Sequence, residues 1–117
     1  RMCFNVIDLD CDDDTKNTSF LMDPQGDWHL APAYDMTFAF DPKNLWLRQH
    51  QMSINGKRTD ITRADLLTVA KEMSIKKADG IIDEVVAGVK TWKKCAKKAE
   101  VNPKQVEAIK SLHLVKT

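Results

Sequence analysis

The chain is organised around the acidic stretch Asp10-Cys11-Asp12-Asp13-Asp14-Thr15-Lys16-Asn17. A further acid, Asp35, follows eighteen residues after Asn17 and is preceded by Ala33-Tyr34. Carboxylates held close together raise each other's pKa or recruit a cation. Several carboxylate oxygens beside one amide oxygen are the ligands that a hard cation such as Mg²⁺ prefers. The stretch is therefore either a metal site or a polar loop.

Three interpretations of this stretch differ in how well the spacing supports them. A calcium loop fits Asp8, Asp10 and Asp12 as alternate ligands, but Asp13 stands where the sharp turn needs glycine and Ser19 where it needs a bidentate glutamate. A solvated turn, whose acids cap a helix or strand end, is the simplest reading of the spacing alone. The third interpretation is phosphoryl transfer.

Phosphoryl transfer in protein kinases needs three side chains that this chain contains. An aspartate accepts the proton of the substrate hydroxyl, an asparagine five residues later binds Mg²⁺, and a second aspartate after a hairpin binds Mg²⁺ as well. Asp12, Asn17 and Asp35 have this order and spacing. The usual His-Arg-Asp and Asp-Phe-Gly neighbours are missing, which excludes an ordinary eukaryotic-type kinase.

A β-hairpin is predicted between Asn17 and Asp35. Residues 18–22 and 27–30 form two short strands of about four residues per arm, joined by a type I turn at Asp23-Pro24-Gln25-Gly26. The hairpin returns the chain, so we expect Asp35 to lie beside Asp12 and Asn17.

Helices are predicted on both sides of this region. Residues 1–9 form a helix tail that enters the acidic stretch, and residues 62–117 form a bundle of three helices. Thr62 opens the first of them with a capping box, Ser74 caps the second, which continues past Trp92 to Ala96, and Asn102-Pro103 opens the third. The fold class is mainly α with a small β-hairpin, α+β.

Composition limits the class of protein. A length of 117 residues allows one domain, and three cysteines without C-x-x-C spacing argue against a disulfide framework or a zinc site. No signal peptide or membrane-spanning run is present, so a cytoplasmic location is expected. Residues 1–41 carry nine acids and two bases, whereas residues 42–117 carry eight acids and sixteen bases, an asymmetry that suggests a binding role.

Several segments of the chain resemble the C-terminal part of HipA-family serine/threonine kinases, the toxins of bacterial toxin–antitoxin pairs. The likeness continues from the acidic stretch through the helices to about Val101. The segments that carry it are Phe4-Asn5-Val6, Asp12-Asp13-Asp14-Thr15-Lys16-Asn17, Phe20-Leu21-Met22-Asp23, Trp28-His29-Leu30-Ala31-Pro32-Ala33-Tyr34-Asp35 and His50-Gln51-Met52-Ser53-Ile54-Asn55-Gly56-Lys57.

The resemblance implies a role for each matching residue. Asp12 falls on the family's catalytic base, while Asn17 and Asp35 fall on the ligands of the Mg²⁺ that accompanies ATP. Lys16 falls on a motif lysine at the cofactor site. Asp14 departs from the family pattern, which has histidine at that position, and the extra negative charge beside the base puts full activity in doubt.

The resemblance also implies a domain arrangement and partners. Residues 1–60 would hold the catalytic loop, hairpin and metal-binding aspartate of a kinase-like C-lobe, and residues 61–117 its helical bundle. The N-terminal lobe would lie upstream of this fragment, which alone would be inactive. Expected partners are a HipB-like antitoxin, DNA through that antitoxin, and an aminoacyl-tRNA synthetase as substrate. The alternative is a non-catalytic binding or regulatory remnant.

Overall fold

The computed structural model describes residues 1–116 and confirms a mainly helical α+β chain with one small antiparallel sheet. A 3-10 turn, Thr15–Asn17, lies in the acidic stretch. The regular elements among the described residues are α1 Met2–Asp8, β1 Phe20–Met22, β2 Trp28–Leu30, α2 Arg63–Glu72, α3 Ala78–Val89, α4 Trp92–Lys98 and α5 Pro103–Leu112.

The predicted hairpin is present with arms of three residues each. Phe20 pairs with Leu30 in antiparallel register. The connecting turn closes through a bond from the Gly26 N–H to the Asp23 carbonyl, 3.0 Å long. The Asp23 carboxylate also accepts the Gln25 N–H at 2.9 Å, which shows why aspartate favours the first position of such a turn.

The hydrophobic core joins α1 to α3 and α2. It draws on both halves of the chain, so the acidic stretch leaves a helix that is fixed by core packing. Burying such side chains contributes about 1.5–3 kcal/mol each. The buried core residues are Val6, Ile7, Ile54, Ile61, Leu66, Ile82, Val86 and Val89.

The Asp65 carboxylate connects α2 to the tight turn at Asn55-Gly56. It accepts hydrogen bonds from the Thr62 N–H at 2.8 Å, from Asn55 Nδ2 at 2.8 Å and from Lys57 Nζ at 3.0 Å. These donors, with the Thr62 N–H foremost, hold the pKa of Asp65 well below its usual range. The predicted capping box at Thr62 is therefore confirmed.

The prediction that Ser74 caps the second helix is wrong. Ser74 adopts a left-handed conformation with φ 54° and lies just after the end of α2. Its N–H donates to Lys71 O, and the Ile75 N–H donates to Ala70 O, which is the Schellman arrangement that ends helices. α3 begins later, with Lys77 at its N-cap.

The second predicted helix is in fact two helices, so residues 62–116 hold four helices rather than three. The break follows Val89, where the Thr91 hydroxyl donates to Gly88 O at 2.7 Å. A threonine side chain that bonds to a carbonyl in the preceding turn competes with the helical ladder, and glycine weakens a helix by about 1 kcal/mol. The apolar spacing continues across the break and therefore conceals it.

The C-terminal segment returns to α1. Asn102 caps α5 as predicted, and Trp92 Nε1 donates to Val106 O at 3.0 Å, which ties α4 to α5. Beyond α5, the Leu114 N–H donates to Ile7 O at 2.8 Å. Within residues 1–116, no helix has the length and apolar character needed to cross a membrane.

Candidate functional site

Asp14 gives the acidic turn its shape. Its carboxylate accepts the Lys16 N–H at 3.3 Å and the Thr15 hydroxyl at 3.2 Å, and so caps the 3-10 turn. These two donors, the Lys16 N–H first, hold the pKa of Asp14 below its usual range. The aspartate that departs from the family pattern therefore has a local structural role at the exposed end of the turn.

The buried side chain of Asn17 points back into the turn that it closes. Its Nδ2 donates to the Asp12 carbonyl at 3.0 Å, which links the predicted base to the predicted metal ligand. That bond fixes the orientation of the amide group. Its Oδ1 has no hydrogen-bond partner among residues 1–116, so the amide oxygen is available as a ligand.

The hairpin brings Tyr34 onto the acidic turn. The Tyr34 hydroxyl donates to Lys16 O at 3.0 Å and lies 2.6 Å from the Ser19 hydroxyl. The Arg1 guanidinium donates to the carbonyls of Tyr34 and Asp35, with a distance of 2.7 Å to the Asp35 oxygen. Asp35 therefore directly follows the residue that contacts the turn. Its backbone adopts a left-handed conformation with φ 49°.

The chain after Asp35 also runs beside the acidic stretch. The Cys11 N–H donates to Ala39 O at 2.9 Å, and the Ala39 N–H donates to Leu9 O at 3.1 Å. This parallel bridge holds the segment from the other side. Asp35 thus lies between two fixed points, the Tyr34 contact before it and the Ala39 pairing after it.

Asp10 is a buried acid inside this arrangement. Its side chain is 1% exposed, neither carboxylate oxygen has a hydrogen-bond partner within the described chain, and Arg1 Nη2 is 3.9 Å away. Burial raises the pKa of Asp10 above its ordinary value, the nearby Thr37 backbone N–H and then Arg1 oppose the rise, and the charges of Asp13 and Asp35 add to it.

The predicted site residues differ in what their side chains contact. The carboxylates of Asp12 and Asp35 are exposed and form no hydrogen bond or ion pair with any described residue, which leaves both available to a ligand. The Lys16 ammonium is also exposed and lies 3.9 Å from Asp14. The structure therefore brings the Tyr34-Asp35 backbone to the turn but pairs Lys16 with Asp14.

The donor set is a partial one for a metal. No three His, Cys, Asp or Glu side chains within residues 1–116 are grouped so that they could hold an ion. One carboxylate and one amide, Asp35 and Asn17, are what remains, and this suits Mg²⁺, which keeps several waters and is completed by substrate phosphates. A self-contained calcium or zinc cage is not formed by the described residues.

Comparison with known families assigns the chain to one of them. A family model described as the HipA-like C-terminal domain matches residues 1–93 of the 117. The chain belongs to this family. No curated protein and no solved structure gave a match. The matched span of the HipA-like domain includes the acidic turn, the hairpin and Tyr34-Asp35, whereas α5 lies beyond it.

Sequence reasoning assigned no role to Asp13, which holds the acidic turn of the HipA-like domain in place. Asp13 is 3% exposed, and its carboxylate accepts His50 Nδ1 at 2.9 Å, the Gln51 N–H at 2.6 Å and the Met52 N–H at 3.4 Å. Burial acts to raise the pKa of Asp13, but these donors outweigh it and lower the pKa below the ordinary value. Asp13 thus anchors the loop on which Asp12 is exposed.

A second pair missed from sequence lies behind the site. His113 Nε2 is 3.1 Å from Asp8 Oδ1, without the alignment of a hydrogen bond, and both side chains are buried. The imidazole lies edge-on to Phe38 and Trp92, with ring centroids 6.0 and 5.9 Å away. The C-terminal segment is thereby connected to the end of α1, from which the acidic stretch begins.

Replacement of Asp13 and of Asp12 by asparagine is expected to have different effects on stability, because Asp13 anchors the loop and Asp12 is exposed on it. Asp13→Asn places an amide NH₂ among donors that need an acceptor, and it should lower the free energy of unfolding by about 2–3 kcal/mol. Asp12→Asn, at the exposed neighbouring position, should change it by less than about 0.5 kcal/mol. Urea unfolding of the two variants measures both values. Equal losses would contradict the division of roles.

The pH dependence of stability is expected to reveal the Asp8–His113 pair. Burial, and secondly the charge of Asp10, raises the pKa of Asp8 from 3.8 to about 6, so this carboxyl lowers the free energy of unfolding as the pH rises from about 4 to about 6. Burial lowers the pKa of His113 below 6.5, so this imidazole raises the same quantity over an overlapping range. The two contributions oppose one another.

Each single variant of this pair should expose the other group's contribution. His113→Gln should make the free energy of unfolding fall by about 3 kcal/mol between pH 4 and 6.5, because 1.36 kcal/mol corresponds to one pKa unit. Asp8→Asn should make it rise more steeply with pH than it does in the parent chain. Urea titrations at several pH values measure the slopes. Identical slopes in both variants and the parent would contradict the assignment.

Proposed function

We propose that this HipA-like domain is the part of a serine/threonine protein kinase that carries the base and the metal ligands, and that the whole enzyme transfers the ATP γ-phosphoryl group to a protein hydroxyl. The observation that supports the proposal best is the 3.0 Å contact of the Tyr34 hydroxyl with the Lys16 carbonyl, which ties the residue before Asp35 to the turn closed by Asn17. Catalysis of this kind depends on positioning and charge neutralisation, which fixed loops supply.

In this proposal each side chain has one task. The Asp12 carboxylate, exposed and without a partner in the described chain, accepts the proton of the substrate hydroxyl. Asn17 Oδ1 and the Asp35 carboxylate hold Mg²⁺, which when bound neutralises the nucleotide phosphates. Arg1 and Tyr34 keep the Asp35 backbone at the turn. Lys16 lies at the rim of the site and contributes positive charge near Asp14.

The exposed face of the hairpin supports a companion lobe in the whole kinase. Phe20 and Met22 point to the same side of β1 as their partners Leu30 and Trp28 on β2, because alternate residues of a strand share a face. All four side chains are at least 59% exposed. A contiguous apolar patch of this kind marks an interaction surface. We assign it to the N-terminal lobe, which makes this domain the C-lobe.

The wider setting of the proposal comes from the family. A HipA-like kinase would act in the cytoplasm with a HipB-like antitoxin, reach DNA through that antitoxin, and phosphorylate a protein such as an aminoacyl-tRNA synthetase. These partners are part of the proposal and rest on fold-level analogy. The chain itself contributes the site geometry alone.

Mg²⁺ with ATP is expected to stabilise the 117-residue chain through Asp35. A ligand present at a hundred times its dissociation constant adds about 2.7 kcal/mol to the free energy of unfolding. We expect the midpoint of thermal unfolding to rise when Mg²⁺ and ATP are both present, and Asp35→Asn to abolish the rise. The matched control is Asp27→Asn, at an exposed hairpin position, which should retain it.

The same samples distinguish a catalytic lobe from a non-catalytic binding module. Stabilisation that survives Asp35→Asn would contradict the proposed metal site, and no stabilisation at any Mg²⁺ and ATP concentration would favour the non-catalytic alternative. ATP turnover by the chain alone should stay near background, because its four glycines are isolated and form no phosphate-covering loop. Rapid turnover would contradict this division of tasks between lobes.

A further inference from the structure

A cleft of about 860 Å³ opens on the molecule, and none of the predicted site residues Asp12, Lys16, Asn17 and Asp35 lines it. Residues 48–50, residues 58–63 and Leu114 of the C-terminal segment all line it. The His50 N–H donates to Arg58 O at 3.0 Å, so the first two of these segments are tied together. Pockets that bind ligands have volumes of about 300–1,000 Å³.

The rim of this cleft is positively charged. Arg48, Arg58 and Lys116 line it, and none of the three forms an ion pair with a residue in the described part of the chain. Asp60 is the one acid in the lining, whereas Arg63, which also lines the cleft, is paired with carboxylates of α3. The cleft therefore carries an excess of positive charge, which Asp60 offsets only in part.

Arg58 is held in place at the base of its guanidinium group. Its Nε donates to His50 O at 2.7 Å, which fixes the plane of the group while the terminal nitrogens remain without a partner among residues 1–116. A pre-oriented guanidinium matches the two oxygens of a carboxylate or phosphoryl group. Arg48, two residues before His50, also lines the cleft.

The floor of the cleft is apolar. Val6 and Ile61 belong to the hydrophobic core and Leu114 packs against it, so core packing holds this part of the lining in place. An occupant that fits must therefore combine an anionic group with an apolar one. The apolar lining residues are Val6, Leu9, Phe40, Ile61 and Leu114.

We propose that this cleft binds a short peptide segment of a partner protein in which an anionic side chain, phosphorylated or carboxylic, lies next to apolar side chains. Arg48 and Arg58 hold the anion, and the apolar neighbours rest on the floor formed by Phe40 and Ile61. Charge complementarity selects the anionic segment, and the volume of about 860 Å³ with its apolar lining suits a peptide better than a compact ion.

A peptide bound in the cleft would also affect the acidic turn, through residues that line the cleft and contact that turn. Cys11 and His50 line the cleft, and His50 Nδ1 is 2.9 Å from the Asp13 carboxylate that anchors the acidic turn. The amide signals of His50, Gln51 and Asp13 are therefore suitable reporters of binding. This inference is independent of the proposed kinase activity, because the readout is binding by the 117-residue chain.

The test is a titration of the ¹⁵N-labelled chain with three tripeptides, acetyl-Leu-phosphoserine-Leu-amide and its Glu and Ser counterparts. We expect shifts at His50, Gln51 and Arg58, with the phosphorylated peptide binding at least tenfold more tightly than the Ser peptide and the Glu peptide between them. Added salt should weaken the anionic peptides alone. Equal affinity for the three peptides, or shifts confined to other regions, would overturn the proposal.

Variants localise the charge. Arg48→Gln, at an exposed position, should weaken the phosphorylated peptide about tenfold and leave the Ser peptide unchanged. Lys97→Gln, at an exposed position on α4 outside the cleft lining, keeps the same net charge as Arg48→Gln and should have no effect. Arg48→Lys should retain part of the affinity. Equal weakening by Arg48→Gln and Lys97→Gln would reveal non-specific attraction and overturn the assignment.

Discussion

The hydrogen bond from the Tyr34 hydroxyl to the Lys16 carbonyl is the constraint on which the geometry of the candidate site depends. A hairpin with three-residue arms is too small to hold its own position, since isolated hairpins of this kind are marginal in water. Tyr34 fastens its far end to the turn that the hairpin leaves. Arg1 and the pairing of Cys11 with Ala39 then hold the chain on either side of Asp35. Together these contacts offset the strain of a left-handed aspartate.

Aspartates of this chain have pKa values shifted in opposite directions because their surroundings differ. Asp13 and Asp65 collect donors from distant segments, and their pKa values fall. Asp8 and Asp10 are buried without such donors, and their pKa values rise. Asp12 remains in solvent between these two kinds of environment. The acidic stretch therefore limits the repulsion among its carboxylates in three ways: hydrogen-bond donors stabilise some of the charges, burial raises the pKa of others, and Asp12 stays in solvent.

Local chemistry made much of the structure predictable. The hairpin turn at Asp23, the capping box at Thr62 and the cap at Asn102 each depend on residues within four positions of one another, and each is present. The prediction of a helix N-cap at Ser74 is wrong because this serine, although its residue type suits an N-cap, occupies the left-handed position after a helix. The break at Thr91 was concealed because the apolar period does not change there.

For the candidate site, the sequence indicated which chain segments approach one another but not the buried contacts that hold them. The spacing of Asp12, Asn17 and Asp35 indicated which segments should meet. The contacts of Asp13 with His50, 37 positions apart, and of Asp8 with His113 join segments with no local pattern between them. Scattered histidines carry no spacing signal, and their burial beside carboxylates follows only from the packing of α1 against the loop and the C-terminal segment.

Paramagnetic broadening by Mn²⁺ in the presence of ATP tests the central claim, that Asn17 and Asp35 share one cation, most directly. Mn²⁺ takes oxygen ligands as Mg²⁺ does and broadens amide signals of nearby residues. We expect the signals of Asn17 and Asp35 to disappear together at the lowest Mn²⁺ concentrations, while those of α5 remain sharp. Broadening at one of the two residues without the other, or broadening unaffected by Asp35→Asn, would contradict the account.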